Sequence, residues 1–97
     1  MRVLWTHSAL GHLTSIYEHI ANDSPRYARR MVDRITSRSS QIATFPRSGQ
    51  MVPEYEDPDI REVIEGSYRV IYTLASDEIR VLAVIHGAQL LPNEPPE

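Results

Sequence analysis

Residues 60–92 read Ile60-Arg-Glu-Val-Ile-Glu-Gly66-Ser67-Tyr68-Arg-Val-Ile-Tyr-Thr-Leu74, then Ala75-Ser-Asp-Glu78, then Ile79-Arg-Val-Leu-Ala-Val-Ile-His86-Gly87, then Ala88-Gln-Leu-Leu-Pro92. Three runs rich in β-branched and aromatic residues are joined by two turns short enough to fix their pairing. Gly66-Ser67 reads as a two-residue turn with glycine supplying positive φ. It sets Glu65 opposite Tyr68, Val63 opposite Val70 and Arg61 opposite Tyr72. Ser76-Asp77 as the second turn sets Leu74 opposite Ile79, Tyr72 opposite Val81 and Val70 opposite Ala83.

Because strand side chains alternate, that pairing sorts the residues into two faces. Val63, Tyr68, Val70, Tyr72, Leu74, Ile79, Val81, Ala83 and Ile85 make one face, which is almost wholly apolar. The other carries Ile60, Glu62, Ile64, Arg69, Ile71, Thr73, Arg80, Leu82, Val84 and His86, with cations set among aliphatic residues.

The rest of the chain supplies a cover for the first face only. Arg2 to Thr6 reads as a short strand, and Ser8 is the expected N-cap of a helix whose stripe is Ala9, Leu10, Leu13, Ile16, Tyr17 and Ile20. Asn22-Asp23-Ser24-Pro25 ends that helix and opens another, with Ser24 as N-cap and Pro25 at the first helical position. Ala28, Met31, Val32, Ile35, Ile42 and Phe45 give the second helix its packing face, and Arg26, Arg29, Arg30, Arg34 and Arg38 lie largely on its other side. So short a connection makes an antiparallel hairpin. Pro46 stops the second helix, and residues 45–59 form a loop with an acidic end. With no third helix, the second sheet face is expected to stay uncovered, and an uncovered apolar patch implies a partner. The fitting partner is an amphipathic segment with carboxylates for Arg69 or Arg80. Trp5 and Tyr17 are expected to be core packing.

Composition removes several functions. Ninety-seven residues make one domain, here 1–92, followed by a polar, proline-rich tail at 93–97 that is expected to be flexible. There is no cysteine, so thiolate chemistry and Cys-type zinc sites are unavailable. His7, His12 and His19 do not form a ligand set, and neither a metal nor a cofactor is expected. No apolar run approaches the roughly 20 residues of a membrane span, so the expectation is a soluble cytoplasmic protein. The net charge of −3 weakens a nucleic-acid reading without removing it. All ten basic residues are arginine, so no lysine can act as a base or phosphate ligand.

The opening Val3-Leu-Trp-Thr6, the helix with Leu13-Thr-Ser-Ile-Tyr-Glu-His-Ile-Ala21, the arginine-studded second helix, Phe45-Pro-Arg-Ser-Gly49 with Val52-Pro-Glu54, Gly66-Ser-Tyr-Arg-Val-Ile-Tyr72 and Val84-Ile-His-Gly-Ala88 occur in one order. That ordered set resembles the ParE/RelE superfamily of bacterial toxin–antitoxin toxins, on its ParE-like branch. The resemblance implies an α+β fold, β-α-α-β-β-β, with a helical hairpin packed on one face of a mostly antiparallel four-stranded sheet. It places the first strand beside the last. It also implies neutralisation by a cognate, ParD-like antitoxin in a hetero-oligomer that meets operator DNA only through the antitoxin.

The superfamily divides by target. ParE-like members poison DNA gyrase, the expected target here. RelE-like members cut mRNA on the ribosome with lysines, arginines and a C-terminal tyrosine or histidine. Arg69 stands where a RelE-like catalytic arginine would, with Arg61 near a second basic position and His86 as the available acid or base. The lysines are absent, Gln89 replaces the usual basic residue after the last glycine, and no tyrosine or histidine follows Leu91. A ribonuclease is therefore the alternative, and a degenerate toxin acting only in an operon-repressing complex a further one. The residues expected to bind antitoxin or target are Arg69, Arg80, Ile64, Ile71, Leu82, Val84 and His86. His86 has a second reading, a hydrogen bond that orders the final turn. Arg69, a charge in a central strand, needs a partner, and Glu62 is the internal candidate.

Overall fold

A computed structural model describes residues 1–96 of the chain. Its elements are β1 (Arg2–Trp5), α1 (His7–Ala21), α2 (Pro25–Thr44), β2 (Gln50–Met51), β3 (Ile60–Glu65), β4 (Tyr68–Leu74) and β5 (Glu78–His86). The sheet order is β1-β5-β4-β3-β2, with β1 parallel to β5 and the other pairs antiparallel. The sheet therefore has five strands rather than the expected four. The addition is the two-residue β2, which pairs Gln50 with Glu62 and Met51 with Arg61 along the outer edge of β3.

Both helices begin where a side-chain oxygen can take an orphan backbone N–H. Ser24 caps α2 by accepting from Tyr27 N, as the sequence indicates. The cap of α1 is Thr6 instead of Ser8: Thr6 Oγ1 accepts from Ala9 N at 3.2 Å and donates to Val81 O at 2.8 Å. One hydroxyl thus starts the helix and ties it to the sheet.

The main core lies between the helices and the sheet, where Ala9, Ile16, Met31, Ile35 and Ile42 meet Val63, Val70, Tyr72, Ile79, Val81 and Val84. Leu10 and Tyr17, expected in the stripe of α1, are exposed. The buried line follows Ala9, Leu13, Ile16 and Ile20, and each exposed residue sits one position, about 100°, beyond it. Phe45 is also exposed, at 64%, because α2 ends at Thr44 and the chain turns there. Trp5 packs on the core and donates from Nε1 to Ser39 Oγ.

The first hairpin has the expected register, with Gly66 at φ +59°. The second departs midway. Tyr72 pairs with Val81 and Ile71 with Ala83, leaving Leu82 as the extra residue of a β-bulge, and Val70 therefore faces Val84 rather than Ala83. Beyond the bulge every side chain changes face. Val84 joins the helix-side core, while Ala83 and Ile85 turn to the second face.

That second face is not left uncovered. Val52, Ile60, Ile71, Ala83 and Ile85 form a second buried cluster, closed by Tyr55 from the β2–β3 loop and by Leu91. Tyr55 Oη donates to Pro92 O, joining the two covering segments. Further along, Pro95 and Pro96 line a groove with Ile60, Thr73, Arg80 and Leu82. The last residue of the expected tail, Glu97, lies outside the described residues.

Candidate functional site

Arg69 projects from β4 onto the second face, beside Glu62 on β3. Its Nε donates to Glu62 Oε1, and its two terminal nitrogens grip both oxygens of Glu54, at 2.8 and 2.9 Å. The other oxygen of Glu62 accepts from Gln50 Nε2. All three guanidinium nitrogens are engaged, and the Arg69 side chain is only 11% exposed. The fork of donors matches a carboxylate edge, which a lysine cannot do. It raises the Arg69 pKa further above its already high value, and Arg69 in turn holds the Glu54 carboxyl below the usual carboxylate range. Chemically the arrangement is a buckle: β4 grips the loop that follows β2 and folds it over the sheet.

A second fastening lies on the helix side. Tyr72 Oη donates to Pro46 O at 2.8 Å and accepts from Gly49 N at 3.1 Å. Burial pushes the Tyr72 phenol up, which keeps its proton on for donation. Arg61 reaches the same loop by donating to Gly49 O, and also donates to Pro58 O in the loop that follows β2. These contacts hold residues 45–49 with Phe45 projecting outward. Beside it lies an open apolar hollow of about 690 Å³, lined by Met1, Phe45, Pro46, Leu74 and Ala75 together with Arg47.

His86 stands apart from Arg69. It pairs with Tyr68 across the strands, packs edge-on to that ring at 5.7 Å, and its Nδ1 accepts from Ala88 N. That hydrogen bond in the final turn is the second of its two sequence readings. The side chain belongs to a helix-side groove of about 430 Å³ with His12, Ser15, His19 and Gln89, so the expected placement beside Arg69 is corrected by the bulge. His12 has a role that spacing did not reveal. β1 pairs β5 only through Val81, and beyond it the outward-facing Val84 N finds its acceptor in His12 Nδ1.

Of the remaining expected site residues, Ile71 and Val84 are buried and so are not surface groups, and Leu82 is 6% exposed in the wall of the groove near the C-terminus. Ile64 is exposed, at 47%. Arg80 is half exposed and shares Glu78 with Arg2, the three side chains running across the β1–β5 edge. Glu78 is held below the usual carboxylate range, first by the hydrogen bond from Arg80 and then by that from Arg2. Among the described residues no group of three or more His, Asp or Glu side chains is arranged to hold a metal ion. No described helix is long and apolar enough to cross a membrane.

A family model described as the ParE toxin of the type II toxin–antitoxin system parDE matches residues 3–91. The chain belongs to the ParE toxin family. It is 30% identical over 90 residues to Toxin RelE2 of Caulobacter vibrioides, covering 92% of this chain and 98% of that one. It is 31% identical over 93 residues to the putative toxin Y4kP of Sinorhizobium fredii, covering 94% and 93%. In fold it is similar to a solved structure from the chromosomal ParDE toxin–antitoxin system of P. aeruginosa, at TM-score 0.73 and 22% identity over 89% of this chain and 95% of that one. In this ParE-family chain, the three residues that the sequence offers to a ribonuclease are each engaged differently. Arg69 is locked in a buckle, Arg61 serves two backbone carbonyls, and His86 lies on the helix side.

Proposed function

We propose that this ParE-family toxin acts by binding rather than by hydrolysis, with DNA gyrase as its target, and that a cognate antitoxin neutralises it. The observation that carries the reading is the buckle at Arg69. An arginine that stabilises a cleaved phosphate must turn its charge and donors to it, whereas here one N–H of each guanidinium nitrogen is given to Glu54 or Glu62, and two carboxylates already pair with a cation only 11% exposed. The loss of lysines and the separation of His86 point the same way.

The ParDE description of the fold relative supports an antitoxin partner. Of the residues the sequence proposes for that contact, Ile64, Arg80 and His86 remain accessible. Leu10 and Tyr17 add an exposed apolar pair two turns apart on α1, a spacing that suits an amphipathic helix. Arg69, Ile71 and Val84 act behind that surface, holding the loop and the core that present it. The reading places the protein in the cytoplasm, where gyrase works.

The test is induction of the chain without antitoxin, alongside a supercoiling assay with purified gyrase. Filamentous growth, an SOS response and protein-linked DNA breaks are expected. Rapid translation arrest with messages cut at the ribosomal A site replaces this reading with the ribonuclease alternative. Absence of any growth effect leaves only the repressor-complex role.

A further inference from the structure

α2 carries five arginines and one aspartate, a net of +4, while the whole chain is at −3, so the remaining residues sum to −7. The arginines divide by employment. Arg38, at the sheet end, donates to Glu65, Gln41 and Ile64 O. Arg26, Arg29, Arg30 and Arg34 are exposed, and among the described residues none of their side chains has an ion pair or hydrogen bond. With Asp33 and Ser37 they line an open depression of about 380 Å³. At helical rise the row from Arg26 to Arg34 spans about 12 Å.

We infer that this outer face of α2 is a contact surface for the phosphate backbone of duplex DNA. Charge alone leaves several polyanions in play, and the lining of the depression separates them. The buried core of a protein interface is enriched in apolar and aromatic side chains, and the depression holds none. Single-stranded nucleic acid needs aromatic rings for its bases. Tyr27, the aromatic residue of α2, lies instead in the neighbouring groove with His19, Met31 and Gly66. What remains is a backbone recognised by charge, for which a row of unpaired guanidinium forks on a rigid helix is sufficient. The acidic segment Glu54–Asp59, with four carboxylates, belongs to the loop over the far face of the sheet, away from this row. The contact is sequence-independent and differs from operator recognition. It does not rest on gyrase being the target.

The test is fluorescence anisotropy of a short labelled DNA duplex of arbitrary sequence, titrated with the full chain between about 50 and about 200 mM salt. Four phosphate contacts predict a slope of log K against log salt near −3 to −4. Replacing Arg29→Gln and Arg30→Gln together is expected to reduce that slope by about 2 and weaken binding about tenfold at the lower salt. The melting temperature should not change, since both side chains are unpaired. Arg47→Gln, an exposed arginine off this helix, should leave the slope as it is. No binding at low salt, a slope unaltered in the double variant, or tighter binding to single-stranded DNA or duplex RNA overturns the assignment. So does a double variant that loses antitoxin affinity with DNA binding intact. The assay contains no gyrase, so its outcome is separate from that of the target reading.

Discussion

At the scale of single residues, Arg69 and Tyr72 each fasten a loop to the sheet, and both are testable by removal. Arg69→Ala leaves Glu62, 4% exposed, without its cation and frees Glu54 from the sheet. Breaking a buried pair from one side costs about 3 kcal/mol, which a urea titration resolves. Arg69→Lys should recover only part of it, because an ammonium cannot bridge two carboxylates as a fork does. Full recovery would show that charge, not geometry, matters there. Gly49 is constrained by space: its Cβ would lie 2.5 Å from Tyr72 Oη and 2.6 Å from Glu62 O. Gly49→Ala is expected to destabilise by about 1–3 kcal/mol. Adding Tyr72→Phe should relieve one clash and leave the other, so the double variant is less damaged than the sum of the singles. Strict additivity would show that the hydroxyl is not the obstacle. The need of Arg69 for a carboxylate was legible in the sequence, and so was Glu62 as its nearest source. Glu54 was not, because it arrives from a loop without periodicity, where no register rule predicts what lies opposite.

At the scale of elements, the helices and the Gly66 hairpin were legible because each carries its own punctuation: an N-cap with proline behind it, or a glycine at φ +59°. The bulge at Leu82 was not. Val81-Leu-Ala-Val84 is apolar throughout, and alternation gives no information in a run that is buried on both faces. That single shift moved Val84 and His86 to the helices and Ala83 and Ile85 to the second face, and with them the expected site. β2 escaped for a different reason, since two residues are too few to show a period. The start of α1 lies two residues before the expected cap, a choice between two hydroxyls. Thr6 prevails because it also reaches Val81 O, so it anchors the helix to β5 as well as capping it. Thr6→Ala should therefore lose about 1–2 kcal/mol, the upper part of the range for a cap. Thermal melts should show the loss, and Thr6→Ser should restore most of it. A Thr6→Ala variant as stable as the parent would mean that neither bond contributes.

At the scale of the whole molecule, the fold sorts charge into layers: unpaired arginines on the outer helix, and carboxylates on the loop over the opposite sheet face and at the β1–β5 edge. The acidic side is also where stability depends on pH. Glu54 and Glu78 both ionise more readily in the folded chain than they would free, because arginines hydrogen-bond them. A carboxyl whose folded pKa is depressed contributes stability that is complete above its unfolded value, about 4.3 for glutamate. That contribution is lost as pH falls through the depressed folded value. The melting temperature should therefore hold near neutrality and drop on acidification below about pH 4.3. Glu54→Gln isolates one share of this. The variant should melt below the parent at pH 7, and the gap should close as the parent's own Glu54 becomes protonated. It should be modest, since Glu54 is itself 42% exposed and solvent screens its pairing. A gap of equal size at neutral and acid pH would place the effect in the shape of the side chain rather than its charge. The loop would then be held by packing of Val52 and Tyr55, and the Arg69 buckle would be a consequence of that packing instead of its cause.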